Sequence, residues 1–528
     1  MINTAIIVSI VGVVGILLLG IAPIYIKDEK VKQTLKRCIL IPIAVLVVGV
    51  SLAAREGILF IINAETPMPV VAELDHELDE LGGALRPGDY GLDLESFRLD
   101  PMFDENKNGH YENIRYRDGS TFTGYFRNGL FHGQGRIVYA DGSIYEGEFQ
   151  SGQRHGIGRF DHVTGYYYTG DWANDDLHGE GVLTYHDGST YTGEFERGLR
   201  HGIGIRIWNN ESSYDGEWYR DEITGHGTYN YVDGSVYIGN LVRGVRHGNG
   251  RMEYPDGSSY DGEWKNNKFN GQGVFIAADG SRFEGEFVDN NRHGQGRFTY
   301  TNGSVYDGEW ENNLAHGIGT LTSHRGYTYV GTWVRGLRHG QGTLTLADGG
   351  VYVGAFYNDA QTGQGIFTAP DGARYDGAWR NGRREGHGTQ TYADGSRYVG
   401  YWRNNVYHGR GTLTSAAGWT YNGEWANGQR NGQGTYTYTD GSVYVGEWRN
   451  DREHGTGILT NTDGSTFTGQ FQNGRRHGRG RIVYACGSIY DGEWRNDLKH
   501  GQGTYRYYNE NGVYVGTYVG QMACIWYA

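Results

Sequence analysis

The sequence is poor in proline and cysteine, and it has a deficit of positive charge. Of 528 residues only 8 are proline and 3 are cysteine, and 47 Lys and Arg stand against 61 Asp and Glu, for a formal net charge of −14. A collagen-like chain needs abundant proline, a disulfide scaffold needs more thiols, and a nucleic-acid-binding surface is normally basic. These classes are excluded, and we expect no nucleic-acid partner.

Glycine and tyrosine are instead in excess. The chain contains 89 glycines and 42 tyrosines, and 14% of its residues are aromatic. A flexible glycine-rich linker would not carry so many aromatic rings. The combination indicates many tight turns and an internally repeated unit.

Two apolar runs near the N-terminus predict a membrane anchor. Residues 5–26 are uncharged and long enough to cross a ~30 Å hydrocarbon core as a helix. A second run covers 38–54, or extends to 63 if Arg55 reaches the interface. The loop between them, 27–37, is basic, and short basic loops stay in the cytoplasm. We expect residues 1–64 to form a two-helix transmembrane hairpin and the rest to be exported.

Other interpretations of this region stay open. Residues 51–54 also suit the end of a signal peptide, which would release the remainder as a secreted domain, and later charges would favour an inverted topology. The anchor fits a bacterial inner membrane with the array in the periplasm, or else an internal eukaryotic membrane. An acidic linker at 65–108 follows the anchor; its densest stretch holds Glu73, Asp75, Glu77, Asp79 and Glu80.

From residue 109 onward the sequence repeats every 23 residues. Each unit is marked by an aromatic residue two positions before a glycine, from Phe122 and Tyr145 through to Tyr490. Seventeen such units follow one another without insertion or deletion, and a partial unit at Tyr514 is one residue out of step. Strict spacing means that every unit docks on its neighbour in the same geometry.

Each unit has the features of a β-hairpin. Tyr145, Gly147 and Phe149 have the same parity, so they share one face of a strand. Asp-Gly and Asn-Gly pairs mark the turns, and the Asn-containing pairs tolerate the positive φ that a type I′ turn requires. The strand glycines leave room for a ring from an adjacent strand to lie on bare backbone.

The succession Tyr-x-Gly-x-Trp, His-Gly-x-Gly and Asp-Gly resembles the MORN repeat (membrane occupation and recognition nexus). Clear copies begin at Tyr306 and Tyr444, and the match covers about 109–520. The histidine is replaced in five units, by Thr224, Asn270, Thr362, Glu385 and Asn431. The resemblance implies an elongated, single-layer antiparallel sheet with a shallow groove, a role in scaffolding, tethering or membrane association, and no chemistry of its own.

The predicted fold is therefore an all-β repeat array plus an α-helical membrane hairpin. The array comprises about 17 hairpins at 109–520 in a twisted single-layer sheet, and residues 521–528 form a C-terminal tail or cap. Some 34 strands at ~4.8 Å spacing give a length on the order of 160 Å. We expect end-capping strands at 110–117 and within 502–528, because exposed strand edges invite pairing.

A second period of 46 residues lies within the first. The residue before the histidine position is arginine in every second unit, and the turn chemistry alternates as well, so the true unit is a pair of hairpins. One interpretation is a row of guanidinium groups about 19 Å apart that meets an anionic partner. The other is that each arginine pairs with acids such as Glu148, Glu194 or Glu286, or covers a ring. The row consists of Arg154, Arg200, Arg246, Arg292, Arg338, Arg384, Arg430 and Arg476.

Tryptophans and histidines complete the candidate residues. Exposed indoles would be stacking platforms for a polysaccharide, whereas buried ones would pack on glycine; the rings in question are Trp172, Trp218, Trp264, Trp310 and Trp333. Histidines recur in twelve of the seventeen units. Their ~9.6 Å spacing is too long for shared zinc ligands, so we expect them to form hydrogen bonds within the hairpin.

The sequence contains no nucleophile elbow, phosphate-binding loop or paired-cysteine motif. We therefore expect no catalytic residue, cofactor or metal, and leave open whether Cys486 and Cys524 pair. The predicted function is that of a membrane-anchored, non-catalytic scaffold or tether whose exported array binds a protein partner. The alternative is a binder of envelope polysaccharide or membrane lipid through the aromatic and arginine rows.

Overall fold

The computed structural model describes residues 104–509 and 511–522. The predicted membrane hairpin, the linker up to residue 103 and Cys524 lie outside these residues. Within the described ranges, no helix has the length and apolar character needed to cross a bilayer.

The described chain forms one antiparallel sheet of 36 strands. Each strand is hydrogen-bonded to the strands before and after it in the sequence, so the sheet is a continuous meander. The strands are β1 (Gly109–Arg115), β2 (Thr121–Arg127), β3 (Leu130–Val138), β4 (Ile144–Gln150), β5 (Gln153–Asp161), β6 (Tyr167–Ala173), β7 (Asp176–Thr184), β8 (Thr190–Glu196), β9 (Leu199–Ile207), β10 (Ser213–Tyr219), β11 (Glu222–Asn230), β12 (Val236–Val242), β13 (Val245–Glu253), β14 (Ser259–Lys265), β15 (Lys268–Ile276), β16 (Arg282–Val288), β17 (Asn291–Thr299), β18 (Val305–Glu311), β19 (Leu314–Thr322), β20 (Thr328–Val334), β21 (Leu337–Thr345), β22 (Val351–Tyr357), β23 (Ala360–Thr368), β24 (Arg374–Arg380), β25 (Arg383–Thr391), β26 (Arg397–Arg403), β27 (Val406–Thr414), β28 (Thr420–Ala426), β29 (Gln429–Thr437), β30 (Val443–Arg449), β31 (Arg452–Thr460), β32 (Thr466–Gln472), β33 (Arg475–Val483), β34 (Ile489–Arg495), β35 (Leu498–Tyr508) and β36 (Tyr514–Met522).

The seventeen hairpins account for β2 to β35. β1 is an additional first strand paired with β2, and β36 is a last strand paired with β35. β36 runs to Met522, so it includes the first two residues of the segment assigned to the tail. The structure therefore has two strands more than the seventeen hairpins supply, one at each end.

Two kinds of turn alternate along the meander. The turn inside each hairpin has two residues with positive φ, for example Asn174 at 54° and Asp175 at 71°, as a type I′ turn requires. At the Asp-Gly turn only the glycine is in the left-handed region, with Gly142 at 96°. There the Gly142 N–H donates to the Tyr139 carbonyl, which makes a type I turn followed by a left-handed glycine.

Each His-Gly-x segment forms a β-bulge. In the β4–β5 pair, Gly147 lies opposite Gly158 and Phe149 opposite Arg154, so three residues on β5 face one residue on β4. The bulge contains Gly156 with φ of 59°, a conformation that other residues adopt only with strain. His155 directly follows Arg154 in the strand and therefore faces the opposite side of the sheet.

The core is a ladder of rings packed on glycine along one face of the sheet. Tyr145 is fully buried, and a Cβ atom placed on Gly158 of the next strand would lie 2.3 Å from the tyrosine oxygen. The Tyr145 hydroxyl donates to the Glu148 carbonyl at 2.9 Å, and Trp172 packs edge-on against the Tyr145 ring. The predicted packing of rings on bare backbone is confirmed.

Candidate functional site

The sheet has two faces of different character. The inner face carries the buried rings and the second glycine of each His-Gly-x-Gly segment. The outer face carries the alternate residues, which are half-buried or exposed, such as Ile157 on β5 and Val353 on β22. The outer face is the more accessible of the two, so the candidate residues are placed first by face.

The arginine row lies on the inner face. Arg154 is fully buried; its Nε donates to Asp175 Oδ1 at 3.1 Å, and its Nη2 donates to the Asp175 carbonyl at 2.8 Å. Its guanidinium carbon lies 4.4 Å from the centre of the Trp172 ring. The same stacking recurs at Arg200 on Trp218. The expectation that the arginines cover aromatic rings is confirmed.

The prediction that acids such as Glu148, Glu194 or Glu286 pair with these arginines is wrong. Glu148, Glu194 and Glu286 project from the outer face, because each occupies the parity opposite to the buried ring of its strand. The actual partner of each arginine is an Asp or Asn in the next hairpin turn, 21 residues further on. These partners are Asp175, Asp221, Asn267, Asn313, Asp359, Asn405, Asp451 and Asp497.

This bond explains why two sequence features alternate together. Arginine occurs in every second unit, and its Asp or Asn acceptor occurs in the turn of the unit after it. The buried Arg154–Asp175 contact is an ion pair, and burial raises the pKa of the Asp175 carboxyl while Arg154 opposes that rise. The row is therefore tied into the structure and is not a free cationic ladder.

The five tryptophans are enclosed on the inner face, with exposed fractions of 2–6%. Trp172 donates its Nε1–H to the Gly158 carbonyl at 3.1 Å, and Trp264 donates to the Gly250 carbonyl at 2.8 Å. Trp218, Trp310 and Trp333 make the equivalent bonds. An indole in this position has no open face on which a sugar ring can stack.

The histidines lie on the outer face, at the bulges. At five positions the histidines do not form the expected hydrogen bond, because their buried Nδ1 atom has no hydrogen-bond partner; these are His201, His339, His408, His454 and His477. The ring of His339 instead packs against Tyr357, 5.1 Å away. Among residues 104–509 and 511–522, no group of His, Cys, Asp and Glu is arranged to hold a metal ion.

A row of carboxylates on the outer face was not singled out from the sequence. In most units the residue between the strand glycine and the following Trp or Phe is acidic, and its carboxylate folds over the bulge. Glu194 accepts the Ile203 backbone N–H at 3.1 Å, and Glu309 accepts the Ile318 N–H at 3.0 Å. The signal available in the sequence is the recurrence of this acid every 23 residues.

The carboxylate row is interrupted in four consecutive units. Thr332, Ala355, Ala378 and Tyr401 stand where Glu is usual. An open cleft of about 670 Å³ lies at the interruption. The outer-face side chains that line it are Thr362, Arg380, Glu385, Tyr401, Arg403 and His408.

Comparison with known proteins assigns the repeat. The family model described as MORN repeat matches seventeen segments, which cover well over half of the chain. The chain belongs to the MORN-repeat family. The matched segments are 122–144, 145–165, 168–190, 191–213, 214–236, 237–259, 260–282, 283–305, 306–326, 329–351, 352–374, 375–397, 398–420, 421–443, 444–466, 467–488 and 490–512.

MORN repeats indicate a binding or scaffold role built on the repeated unit. No curated protein matches this MORN chain significantly. Solved structures with some likeness include the TCP10 domain of Danio rerio CPAP in complex with a STIL peptide, at 11% identity over 52% of this chain and 98% of that chain, with a TM-score of 0.20. Virginiamycin B lyase from Staphylococcus aureus is 11% identical over 54% and 94% of the two chains, with a TM-score of 0.10. These likenesses carry no argument about function.

Proposed function

We propose that this MORN-repeat protein is a membrane-anchored, non-catalytic scaffold or tether whose array binds a protein partner on its outer face. The observation that carries the proposal is the division of the sheet into a closed face and an open one. The inner face is sealed by rings, whereas the outer face presents the same strand positions in unbroken rows across consecutive hairpins. A partner lying along these rows can contact many repeats at once.

The composition of the outer face favours a protein over a polysaccharide. Val330 and Val353 are about half exposed, at 47% and 48%, and lie in one cross-strand row with Thr343 between them. Exposed apolar side chains bordered by charges are typical of protein-binding surfaces. The five tryptophans that were candidates for stacking on sugars lie on the closed face.

The membrane part of the proposal rests on the sequence. The apolar runs at 5–26 and 38–54, with the basic loop 27–37 between them, favour an anchor whose two ends face away from the cytoplasm. A reporter fused after Glu65 is then active only outside the cytoplasm. Activity of that reporter inside the cytoplasm would contradict the proposed periplasmic array.

Co-purification tests the choice of partner class. The tagged full-length chain, extracted from its own membrane in a mild detergent, should carry a protein in near-equal molar amount. Protein, lipid and glycan in the eluate are each quantified, and the same detergent extract without the tagged chain is the control. Recovery of glycan or lipid without protein would contradict the scaffold proposal.

A further inference from the structure

The interruption of the outer carboxylate row identifies a site. In an ordinary unit the glutamate accepts the backbone N–H of the residue after the bulge glycine, as Glu217 accepts from His226 at 2.9 Å and Glu447 accepts from Thr456 at 2.9 Å. Backbone amides beside a left-handed residue form a concave anion-binding nest. Each ordinary repeat therefore contains a nest that its own carboxylate fills.

Two adjacent nests have neither a carboxylate nor any other side-chain acceptor from their own repeat. Ala355 and Ala378 occupy the glutamate position, and their methyl side chains hold no acceptor for the amides of Gln364 and His387. The bulges themselves are kept, with φ of 60° at Gly363 and 91° at Gly386. The backbone that holds an anion elsewhere is present here, but the anion is not supplied by the chain.

The surroundings of these nests are basic. Arg380 and Arg403 are exposed, line the cleft, and form no ion pair among the residues that the structure describes. The one carboxylate in the cleft, Glu385, accepts the backbone N–H of Asn404 at 2.9 Å. An anion entering the cleft would therefore meet two guanidinium groups and the bulge at Gly386, and the nest at Gly363 lies one hairpin away.

The charge of the whole array changes sign toward this region. Residues 109–313 hold 18 Lys and Arg against 30 Asp and Glu, whereas residues 314–528 hold 20 against 16. Between residues 374 and 410 there are seven arginines and three acids. An anionic partner is therefore repelled by the first half of the array and attracted to the second.

We propose that the outer face of β22–β27 binds an acidic polypeptide segment whose carboxylates fill the nests left open at Ala355 and Ala378. The proposal rests on the proposed scaffold function and names the chemistry of its partner. A carboxylate is the group that ten other repeats place over the same bulge, and arginine binds it in a two-pronged geometry. The two nests lie about 10 Å apart, from two strand spacings, so the segment carries carboxylates at about that separation.

A polypeptide fits this face better than a lipid headgroup does. Val353 and Val399 lie beside the nests on the same face, so the surface offers apolar contacts next to its anion sites. The pleat of the sheet places these contacts a few ångströms apart, which matches the spacing of side chains along an extended peptide. Anionic vesicles are the competing occupant, and the test below separates the two.

The test uses the full-length chain in detergent micelles and a fluorescein-labelled ten-residue poly-glutamate peptide as the probe, read by fluorescence anisotropy. The double variant Ala355→Glu with Ala378→Glu supplies the missing carboxylates and should weaken peptide binding about tenfold or more, as expected for losing charge-assisted hydrogen bonds. It should fold normally, because glutamate is the usual residue at this position. Arg380→Gln with Arg403→Gln should also weaken binding about tenfold.

The matched control is Val182→Glu with Ile205→Glu, which adds the same charge to the same face on β7 and β9, far from the nests. It should change binding by less than about threefold at physiological salt, where surface charges are screened beyond ~8 Å. Equal binding by the Ala355→Glu/Ala378→Glu variant and the unmodified chain would overturn the proposal, as would equal loss in the control. The proposal would also be overturned, in favour of a lipid, if phosphatidylglycerol vesicles bind the unmodified chain but not the Ala355→Glu/Ala378→Glu variant and the peptide does not bind.

The outcome is separable from that of the scaffold proposal. If a protein co-purifies equally well with the Ala355→Glu/Ala378→Glu variant, the scaffold proposal stands and this site is wrong. If no protein co-purifies but the labelled peptide binds with the expected pattern, the site exists and the scaffold proposal is contradicted.

Discussion

At the scale of single residues, glycine and tyrosine act as one packing unit. The Tyr191 ring covers Gly204 on the neighbouring strand, and a Cβ atom on Gly204 would lie 2.3 Å from the tyrosine oxygen. The Tyr191 hydroxyl donates to the Glu194 carbonyl at 3.0 Å, which holds the ring over that glycine. The high glycine content is therefore a packing requirement at these positions.

Gly204→Ala should destabilise the array. Overpacking of a well-packed core costs about 1–3 kcal/mol, so the urea midpoint of the full-length chain should fall measurably. Gly516→Ala is the control, since a Cβ atom there has nothing within 4 Å and the backbone is not left-handed. An unchanged midpoint for Gly204→Ala would contradict the packing assigned to Tyr191.

The buried Arg154–Asp175 pair gives an asymmetric prediction. Arg154→Met leaves the buried Asp175 carboxylate without its counter-charge and should cost about 3–5 kcal/mol. Asp175→Asn should cost less than about 1 kcal/mol, because Asn267, Asn313 and Asn405 accept the same arginine bonds in other units. Thermal unfolding of the two variants measures the difference, and equal destabilisation would contradict the account.

The Asp-Gly turns make stability depend on pH. Hydrogen bonds from the Ser258 side chain and backbone lower the pKa of Asp256, and the pKa of Asp279, which accepts the Ser281 backbone N–H, is lowered as well. A pKa that is lower in the folded state adds stability above the ordinary value of about 4, and this stability is lost as the pH falls through the folded value. The urea midpoint should therefore drop below about pH 4, and Asp256→Asn with Asp279→Asn should flatten that dependence.

Residue types predicted the core but not the surface chemistry. The parity of Tyr145 and Gly147 placed the rings on one face, and the structure confirms it. The histidine role was not predictable, because the residue opposite it on the paired strand changes from unit to unit: Glu286 lies opposite His293, but Thr332 lies opposite His339. The outer carboxylate row was not predicted, because acidic residues are common at exposed strand positions. The informative feature is that two units, at Ala355 and Ala378, lack the acid.

At the scale of elements, the pair of hairpins is the structural unit. Each arginine is hydrogen-bonded to an Asp or Asn in the turn of the following hairpin, 21 residues further on. The odd and even units therefore depend on each other. The sequence showed that the arginine and the turn residue both alternate, but not that they bond to each other, because they come from two different hairpins. Only the register of the strands places Arg200 beside Asp221.

Deletions of one and two units test whether the pair of hairpins is the structural unit. Removing residues 214–259, a full pair, gives Arg200 the equivalent acceptor Asn267 and should leave the urea midpoint nearly unchanged. Removing residues 214–236 places Gly244 where Asp221 was, so Arg200 loses its side-chain acceptor. That loss should cost about 1.5–3 kcal/mol, the usual value for a hydrogen bond to a charged group. Equal stability of the two deletions would contradict the paired unit.

At the scale of the whole molecule, the array is uniform in fold and uneven in surface. The hairpins repeat in the same register from β2 to β33, and the length of the array follows from the repeat count alone. The buried rings form two clusters, one ending at Phe356 and the other beginning at Tyr375, with Phe367 and Trp379 packed against both. The open nests at Ala355 and Ala378 lie at this same junction.

The most direct test of the account is a photo-crosslinking scan of the full-length chain in the cells that produce it. A photoreactive residue replaces one exposed outer-face residue at a time, at Ile157, Ile203, Gln364 and His387. We predict protein conjugates from Gln364 and His387, beside the open nests, and little or none from Ile157 and Ile203 in the acidic half. Conjugates formed equally at all four positions, or only with lipid or glycan, would contradict the assignment of the partner-binding surface.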